Sequence, residues 1–400
     1  MKKTLLAAAL VAGFAGVAHA ESSVTLYGLV DAGYGYENVE TKYRGDYTRG
    51  KVSERNFGVR SGVLNGNRWG LKGTEDLGNG TSAIFVLESG FDLGDGEQLQ
   101  GGRLFGRQAY VGLSGESWGT FTIGRQYNAA DAFVAPIDPF GTGGGLASAT
   151  TVFGDSLSYR YDRAIKYVSP NFSGFQFGLG VVHDDTREKT SGPLFGGDTK
   201  TSDRLFGVTT GLGYTNGPIY LGASFDYINA KEKVNGATTL NAKTKAWNVG
   251  GTYDFDVVKL HLLYGGQSGG VVGGVGALAG QAAETIGEYW DPINFDSDKL
   301  YGKGLRQHSW LAGLSAPVGD AGKVMFSYAG NTVKNKTALP DVKVKSHNFA
   351  LGYRHSLSKR TSVYGVASYG WANGKERRDG FNGKVKTTAT QAVIGLQHRF

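Results

Sequence analysis

The sequence predicts an all-β protein: a 16-stranded antiparallel transmembrane β-barrel whose third long loop folds inward. Three observations carry that expectation. Strict alternation of apolar and polar residues recurs from end to end, in stretches of about ten residues, the span of a tilted strand crossing a bilayer. The connections between these stretches alternate between tight turns and long polar loops. Beyond the leader, no apolar run reaches the roughly 20 residues that a membrane helix needs, so any passage through a membrane must use strands.

Residues 1–20, MKKTLLAAALVAGFAGVAHA, form the leader. Lys2 and Lys3 make a positive start, Thr4 to Val17 an apolar stretch, and Ala18-His19-Ala20 a small-x-small site, the pattern of a removable signal peptide. The barrel domain is therefore assigned to 21–400, and losing the two lysines lowers the formal charge from +7 to +5. The chain has no cysteine, so an exported fold of this size stands without disulfides. Gly numbers 65 of 400, more than twice the usual share of about 7%, with no collagen period.

The first strand is read at SSVTLYGLVDAGY. In the second, NRWGLKG, Trp69 and Leu71 share a face, which turns Arg68 and Lys72 the other way. Later strands behave alike. FQFGLGVV sets Phe175, Phe177, Leu179 and Val181 against Gln176, Gly178 and Gly180. PIYLGASFDYINA sets Ile219, Leu221, Phe225 and Tyr227 against Tyr220, Gly222, Ser224 and Asp226, and SHNFALGYRHSLS sets Phe349, Leu351 and Tyr353 against Asn348, Ala350 and Gly352. Seven tight turns (76–80, 114–117, 169–174, 214–218, 254–258, 317–322, 356–360) alternate with eight long loops (37–56, 92–106, 128–159, 184–203, 230–244, 266–305, 332–343, 374–386). Even strand numbers with short turns at one end and long loops at the other belong to membrane barrels. The last strand, QAVIGLQHRF, puts Ala392, Ile394, Leu396 and His398 on one face and ends on Phe400. A free edge so well patterned would be a hazard, and pairing with the first strand removes it.

Sixteen strands leave an aqueous bore. The loop 128–159 is long, yet carries Phe133, Val134, Ile137, Phe140, Val152 and Phe153, which suit packing against the inside wall. The competing reading of those residues is an extracellular loop in contact with a neighbouring subunit.

Several stretches resemble the trimeric general porins of Gram-negative outer membranes, in their betaproteobacterial and neisserial branch. They are SSVTLYGLVDAGYGY, NRWGLKGTEDLGNGTSAIFVLESGF, GRQAYVGLSGESWGTFTIGRQY, APIDPFG, AIKYVSPNFSGFQFG and VIGLQHRF, which together span the chain after the leader. The resemblance implies homotrimers in the outer membrane, surrounded by its lipid, in which the third loop constricts each barrel. It implies passive diffusion of ions and small hydrophilic solutes, no catalysis and no cofactor. Wall arginines facing acids on the loop are carried onto Arg68, Arg107 and Arg160, with Asp131, Asp138, Phe140 and Gly141 on the loop side. Alternation from Ile165 and Tyr167 turns Arg160, Asp162 and Lys166 inward as well. Arg107 shares parity with Ala109, Val111 and Leu113, the lipid face of a lone barrel, and Arg125 has the same ambiguity. In the family the terminal aromatic, here Phe400, serves as an assembly signal. The loop departs from the enterobacterial Pro-Glu-Phe-Gly pattern: it reads Asp138-Pro139-Phe140-Gly141, leaving Asp131 and Asp138 as the only acids before Asp155. More cations than acids at a constriction predicts a preference for anions.

Other readings have less to stand on. GESWG at 115–119 fits a nucleophile elbow, but a strand follows where that motif needs a helix. The histidines are scattered singly and Asp291, Asp296 and Asp298 lack regular ligand spacing, so no metal site is expected. The basic charge is dispersed over loops, which gives no nucleic-acid surface. A substrate-specific channel, a barrel enzyme and a loop-borne adhesin remain the competing functions.

Overall fold

The computed structural model describes residues 23–47, 49–191, 199–269, 277–279, 304–335, 341–378 and 381–400. The proposed leader, 1–20, lies outside them, as does most of the loop 266–305. The first strands are β1 (Ser23–Gly45), β2 (Arg49–Ser61), β3 (Arg68–Gly78), β4 (Thr81–Gly90), β5 (Gln108–Gly115) and β6 (Gly119–Tyr127). They are followed by β7 (Arg160–Val168), β8 (Phe175–Thr190), β9 (Thr199–Asn216), β10 (Ile219–Val234), β11 (Ala237–Asp254) and β12 (Lys259–Ser268). The chain finishes with β13 (Leu305–Val318), β14 (Gly322–Asn335), β15 (Asp341–Ser356), β16 (Thr361–Arg378) and β17 (Phe381–Arg399).

These segments make sixteen staves, because β2 and β3 share one. β1 pairs with β2 through Ala32–Arg44 and with β3 through Ser23–Leu29. Between β2 and β3 the chain leaves the wall and buries Val63 and Leu64 in the bore beside Phe140. All pairings are antiparallel. The sheet closes where β17 runs along β1 from Leu29↔Arg399 to Gly45↔Gly383. Gly28 and Phe400 then exchange two backbone hydrogen bonds of 3.1 Å, so the terminal strand has no free edge there. Asp31 fastens the seam from inside, accepting Tyr364 Oη at 2.6 Å and Gln397 Nε2 at 2.9 Å.

Alternation places the side chains as the sequence implies. Leu221, Phe225, Phe349, Leu351, Ile394 and Leu396 are exposed on the outer, lipid-facing surface, whereas Ser224, Asp226, Asn348 and Gln391 are buried inside. GESWG sits at the β5–β6 hairpin, with a strand on either side.

The long loops need correcting. Stretches 37–56, 184–203, 230–244, 332–343 and 374–386 are mostly strand, since neighbouring strands run past the membrane as tall hairpins. β10 and β11 meet in a two-residue turn, Asn235-Gly236, with φ of 50° and 84°, the left-handed pair that a tight hairpin requires. Above the bilayer the outward face is wet and charged, so the apolar alternation fades while the ladder of backbone hydrogen bonds continues.

Candidate pore constriction

The loop 128–159 lies inside the barrel. The six apolar residues that the sequence singles out there, Phe133, Val134, Ile137, Phe140, Val152 and Phe153, are each at most 5% exposed. They pack with inward-facing Leu263, Leu311, Ala329 and Met325. The extracellular alternative therefore does not hold. Asn128 closes the root of the loop: its backbone N–H donates to Tyr159 O at 2.7 Å, and its Nδ2 donates to Ser156 O at 3.0 Å and Asp226 Oδ2 at 3.2 Å. The short helix Ala129–Phe133 then lies against β9 and β10, where a Cβ at Gly222 would run into the Phe133 carbonyl.

Neutral side chains of the wall hold the loop backbone along its length. Tyr220 Oη donates to Phe133 O at 2.7 Å, and His261 Nδ1 meets Ile137 O at 2.8 Å. Asn331 Nδ2 donates to Val152 O at 2.7 Å, Asn348 Nδ2 to Leu146 O at 2.6 Å, and Gln391 Nε2 to Gly144 O at 2.9 Å. Loop carbonyls that would otherwise be orphaned away from water are thereby paired. The surface left facing the bore at Ala132, Pro136, Gly141, Thr142 and Gly143 carries no charge.

Asp131 and Asp138 have different roles. Asp138 is buried and accepts the backbone N–H groups of Phe140 and Thr142, both at 3.0 Å, and of Ala149 at 2.9 Å. Burial pushes its carboxyl up to about 6 against those three donors. It staples the loop together, and facing the arginines was the wrong expectation for it. Asp131 does lie near the wall cations. It accepts Ser158 Oγ at 2.5 Å, and burial raises its carboxyl above the ordinary range while Lys166, Arg160 and Arg107 pull the other way.

The arginines converge on the opposite wall, formed by β3 to β7. Arg107 Nε donates to Glu88 Oε1 at 2.7 Å, and its NH2 donates to Tyr127 Oη at 2.8 Å. Arg160 stacks on the Tyr127 ring, 4.3 Å from the centroid, and also donates to its hydroxyl. Arg68 is within electrostatic reach of both Arg107 and Arg160. Lys72 stands over Tyr27, 5.5 Å from the ring centroid, and Lys166 Nζ donates to Tyr127 O at 3.0 Å. Arg160 Nε is buried with no protein acceptor.

The parity ambiguity at Arg107 disappears because it precedes the first ladder residue of β5, and strand alternation does not govern it. Near Arg160, alternation misleads. Arg163 adopts φ 53° and the β6–β7 register shifts between Gly124 and Gln126. Tyr161 consequently turns inward onto Asp226 at 3.0 Å, while Asp162 pairs with Arg103 and Arg125 instead of lining the bore.

Glu88 is the residue that sequence reasoning missed. The signal existed: a lone carboxylate inside the apolar stretch AIFVLESG needs a cation once it is buried. On this wall four cations, Arg68, Arg107, Arg160 and Lys166, gather near two carboxylates, Glu88 and Asp131, while Lys72 stands four residues along β3, over Tyr27.

Comparison with known proteins matches this architecture. The Gram-negative porin family model covers residues 7–377. The chain is 42% identical, over the full length of both, to an outer membrane porin protein of Bordetella pertussis. It is 30% identical, again over both full lengths, to outer membrane porin protein 32 of Delftia acidovorans. Among solved structures it superposes on the anion-selective porin from Comamonas acidovorans with a TM-score of 0.61 at 27% identity, covering 95% of this chain and 100% of that one. A closed barrel with a basic wall set across from an in-folded loop, and full-length likeness to these proteins, lead to one conclusion: the chain belongs to the Gram-negative porin family, and its place is the outer membrane.

Proposed function

We propose that this porin is a passive channel for small hydrophilic solutes that admits anions in preference to cations. The observation that carries this reading is the one-sided charge of the constriction. Arg68, Arg107 and Arg160 gather around Tyr127, while the loop rim opposite contributes Asp131 alone. Within a narrow bore, weakly screened charge of one sign raises the local concentration of the other. The Comamonas acidovorans porin is anion-selective, which agrees with that sign. We further propose a homotrimer without catalytic activity, released from a cleaved leader; resemblance to the family supports all three.

The test is swelling of vesicles that contain the purified barrel, with uncharged, anionic and cationic solutes of matched size. Entry of all three, fastest for the anion, is the expected result. Entry that saturates for one solute and is blocked by it would instead indicate a substrate-specific channel. No swelling by any solute would overturn the reading.

A further inference from the structure

A second group of cations lies on the periplasmic side of the constriction, inside the bore but on the wall opposite the arginines. Lys259 opens β12 just after the tight turn 254–258, and Lys323 stands at the start of β14 after the turn 317–322. His261 and Met325, two residues further along the same strands, are buried beneath the loop, so alternation turns both lysines into the bore as well. The strand register sets Arg354 of β15 directly opposite Lys323. Lys323 is within electrostatic reach of both Arg354 and Lys259.

Like charges opposite one another on neighbouring strands destabilise a sheet, and the protein does little to relieve these. Lys259 Nζ lies 3.0 Å from Asp254 Oδ2. Among the described residues, neither Lys323 nor Arg354 forms an ion pair. The nearby carboxylate of Asp138 is occupied by three backbone N–H groups. His261 is committed too, its Nδ1 to Ile137 O and its Nε2 to Ser315 Oγ at 3.0 Å.

These lysines border a cavity of about 460 Å³, a size typical of small-molecule sites. Lys259 and Lys323 stand on one side of it; the underside of the in-folded loop, at Ala132, Phe133 and Pro136, stands on the other, with Val168 of β7 beside them. The loop side is apolar because the wall makes room for the Phe133 ring: a Cβ at Gly178, Gly211 or Gly213 would come within 2.9 Å of it. Ala132 and Pro136 are left exposed next to that ring. A bare inorganic anion gains nothing from the apolar side, and an uncharged solute gains nothing from the lysines. A solute with both an anionic group and an apolar body satisfies the two sides together.

We propose that this cavity is a binding site for organic anions with an apolar body, aromatic carboxylates above all, on their way between the constriction and the periplasm. The carboxylate would lie against Lys323 and Lys259, with Arg354 behind, and the ring against Phe133, Pro136 and Val168. The inference rests on the anion-preferring channel read above and adds to it a site on the other wall, outside the arginine filter.

The test is block of the potassium chloride current through the purified full-length barrel in a planar bilayer. Sodium benzoate is compared with sodium formate, which has the charge without the ring, and with benzyl alcohol, which has the ring without the charge. Benzoate should half-block at a concentration at least about tenfold below that of either, since a hydrogen bond to a charged group and a buried ring are each worth about that factor. K323Q alone, which breaks no ion pair, should raise the benzoate half-block concentration severalfold, and K259Q/K323Q should abolish the advantage over benzyl alcohol. Val168→Thr, which keeps the side-chain shape, should weaken benzoate and leave formate unchanged. The reversal potential is read from the same channels. Potassium preference would overturn the anion-selective reading and this inference with it. Chloride preference with benzoate no better than formate would overturn the site alone. Undiminished benzoate block in both lysine variants would also overturn it, by placing the bound carboxylate on the arginine wall.

Discussion

The two halves of the bore are built from the same alternating strands but do opposite work. From β9 to β17 the inner wall presents mostly small or neutral residues, such as Gly222, Ser309, Asn331, Asn348 and Gln391, with the carboxylate of Asp226 buried at the loop root beside Asn128 and Tyr161, and the loop lies on them like a lining. From β3 to β7 the wall is bare and carries Arg68, Lys72, Arg107, Arg160 and Lys166. Charge on the first half would have to be desolvated beneath the loop, at a cost of several kcal/mol per ion. On the second half Lys72 is exposed and Arg68, Arg160 and Lys166 are half-buried, within reach of solutes, whereas Arg107 is buried in its pair with Glu88. The difference shows that the loop does more than narrow the channel: it removes one side of the wall from solvent, so the other side sets the electrostatics.

The largest way to break this contrast is to unseat one member of either half. Phe153→Ala removes the most deeply buried aromatic of the loop, at 1% exposure. It should cost about 3–5 kcal/mol, as large-to-small core changes do. The loss would be read as a lower unfolding midpoint in urea, with a larger and noisier single-channel conductance as the lining loosens. On the basic side, Arg107→Ala leaves Glu88, 4% exposed, without its cation. A loss of about 3 kcal/mol is expected from an uncompensated buried charge. Arg107→Ala combined with Glu88→Gln should recover most of it in the same unfolding assay.

A smaller effect concerns selectivity. Arg160→Ala should lower the chloride-to-potassium permeability ratio by up to about tenfold at low salt, since one unit charge about 6 Å away in water is a factor of about three for each ion, with opposite signs for the two. Unchanged selectivity in that variant would remove Arg160 from the filter. The smallest effect sharpens the comparison through pH. Burial holds the Asp131 carboxyl above its ordinary range, so it loses its charge at a higher pH than a free aspartate. As the pH is lowered from neutrality, the loop should become uncharged at its rim before ordinary carboxylates titrate, and anion preference should rise. Asp131→Asn should show the stronger preference already at neutral pH and lose that pH response.

Much of this was legible in the sequence, for reasons that also explain the exceptions. Within the bilayer a strand must show one apolar face, so residues such as Leu221, Phe225, Leu351 and Ile394 declared the staves and their orientation. The apolar run in loop 128–159 declared its burial, since six such residues had to leave water. Above the bilayer that constraint lapses, and the tall hairpins read as loops. Arg107 lay beyond its strand's ladder, and the φ 53° turn at Arg163 reset the parity beside it, so the placement of Asp162 could not be counted from Ile165. Asp138 failed for a different reason. Its three backbone partners are made by the fold of the loop itself, and spacing alone does not distinguish a carboxylate that faces a channel from one that caps a turn.

The most direct test is the reversal potential of the purified protein in a planar bilayer across a potassium chloride gradient. Stepwise openings with the sign of chloride preference are what a basic wall opposed by a neutral lining predicts. A reversal potential with the sign of potassium preference would contradict it, leaving a porin whose selectivity is set by Glu88 and Asp131 rather than by the arginines beside them.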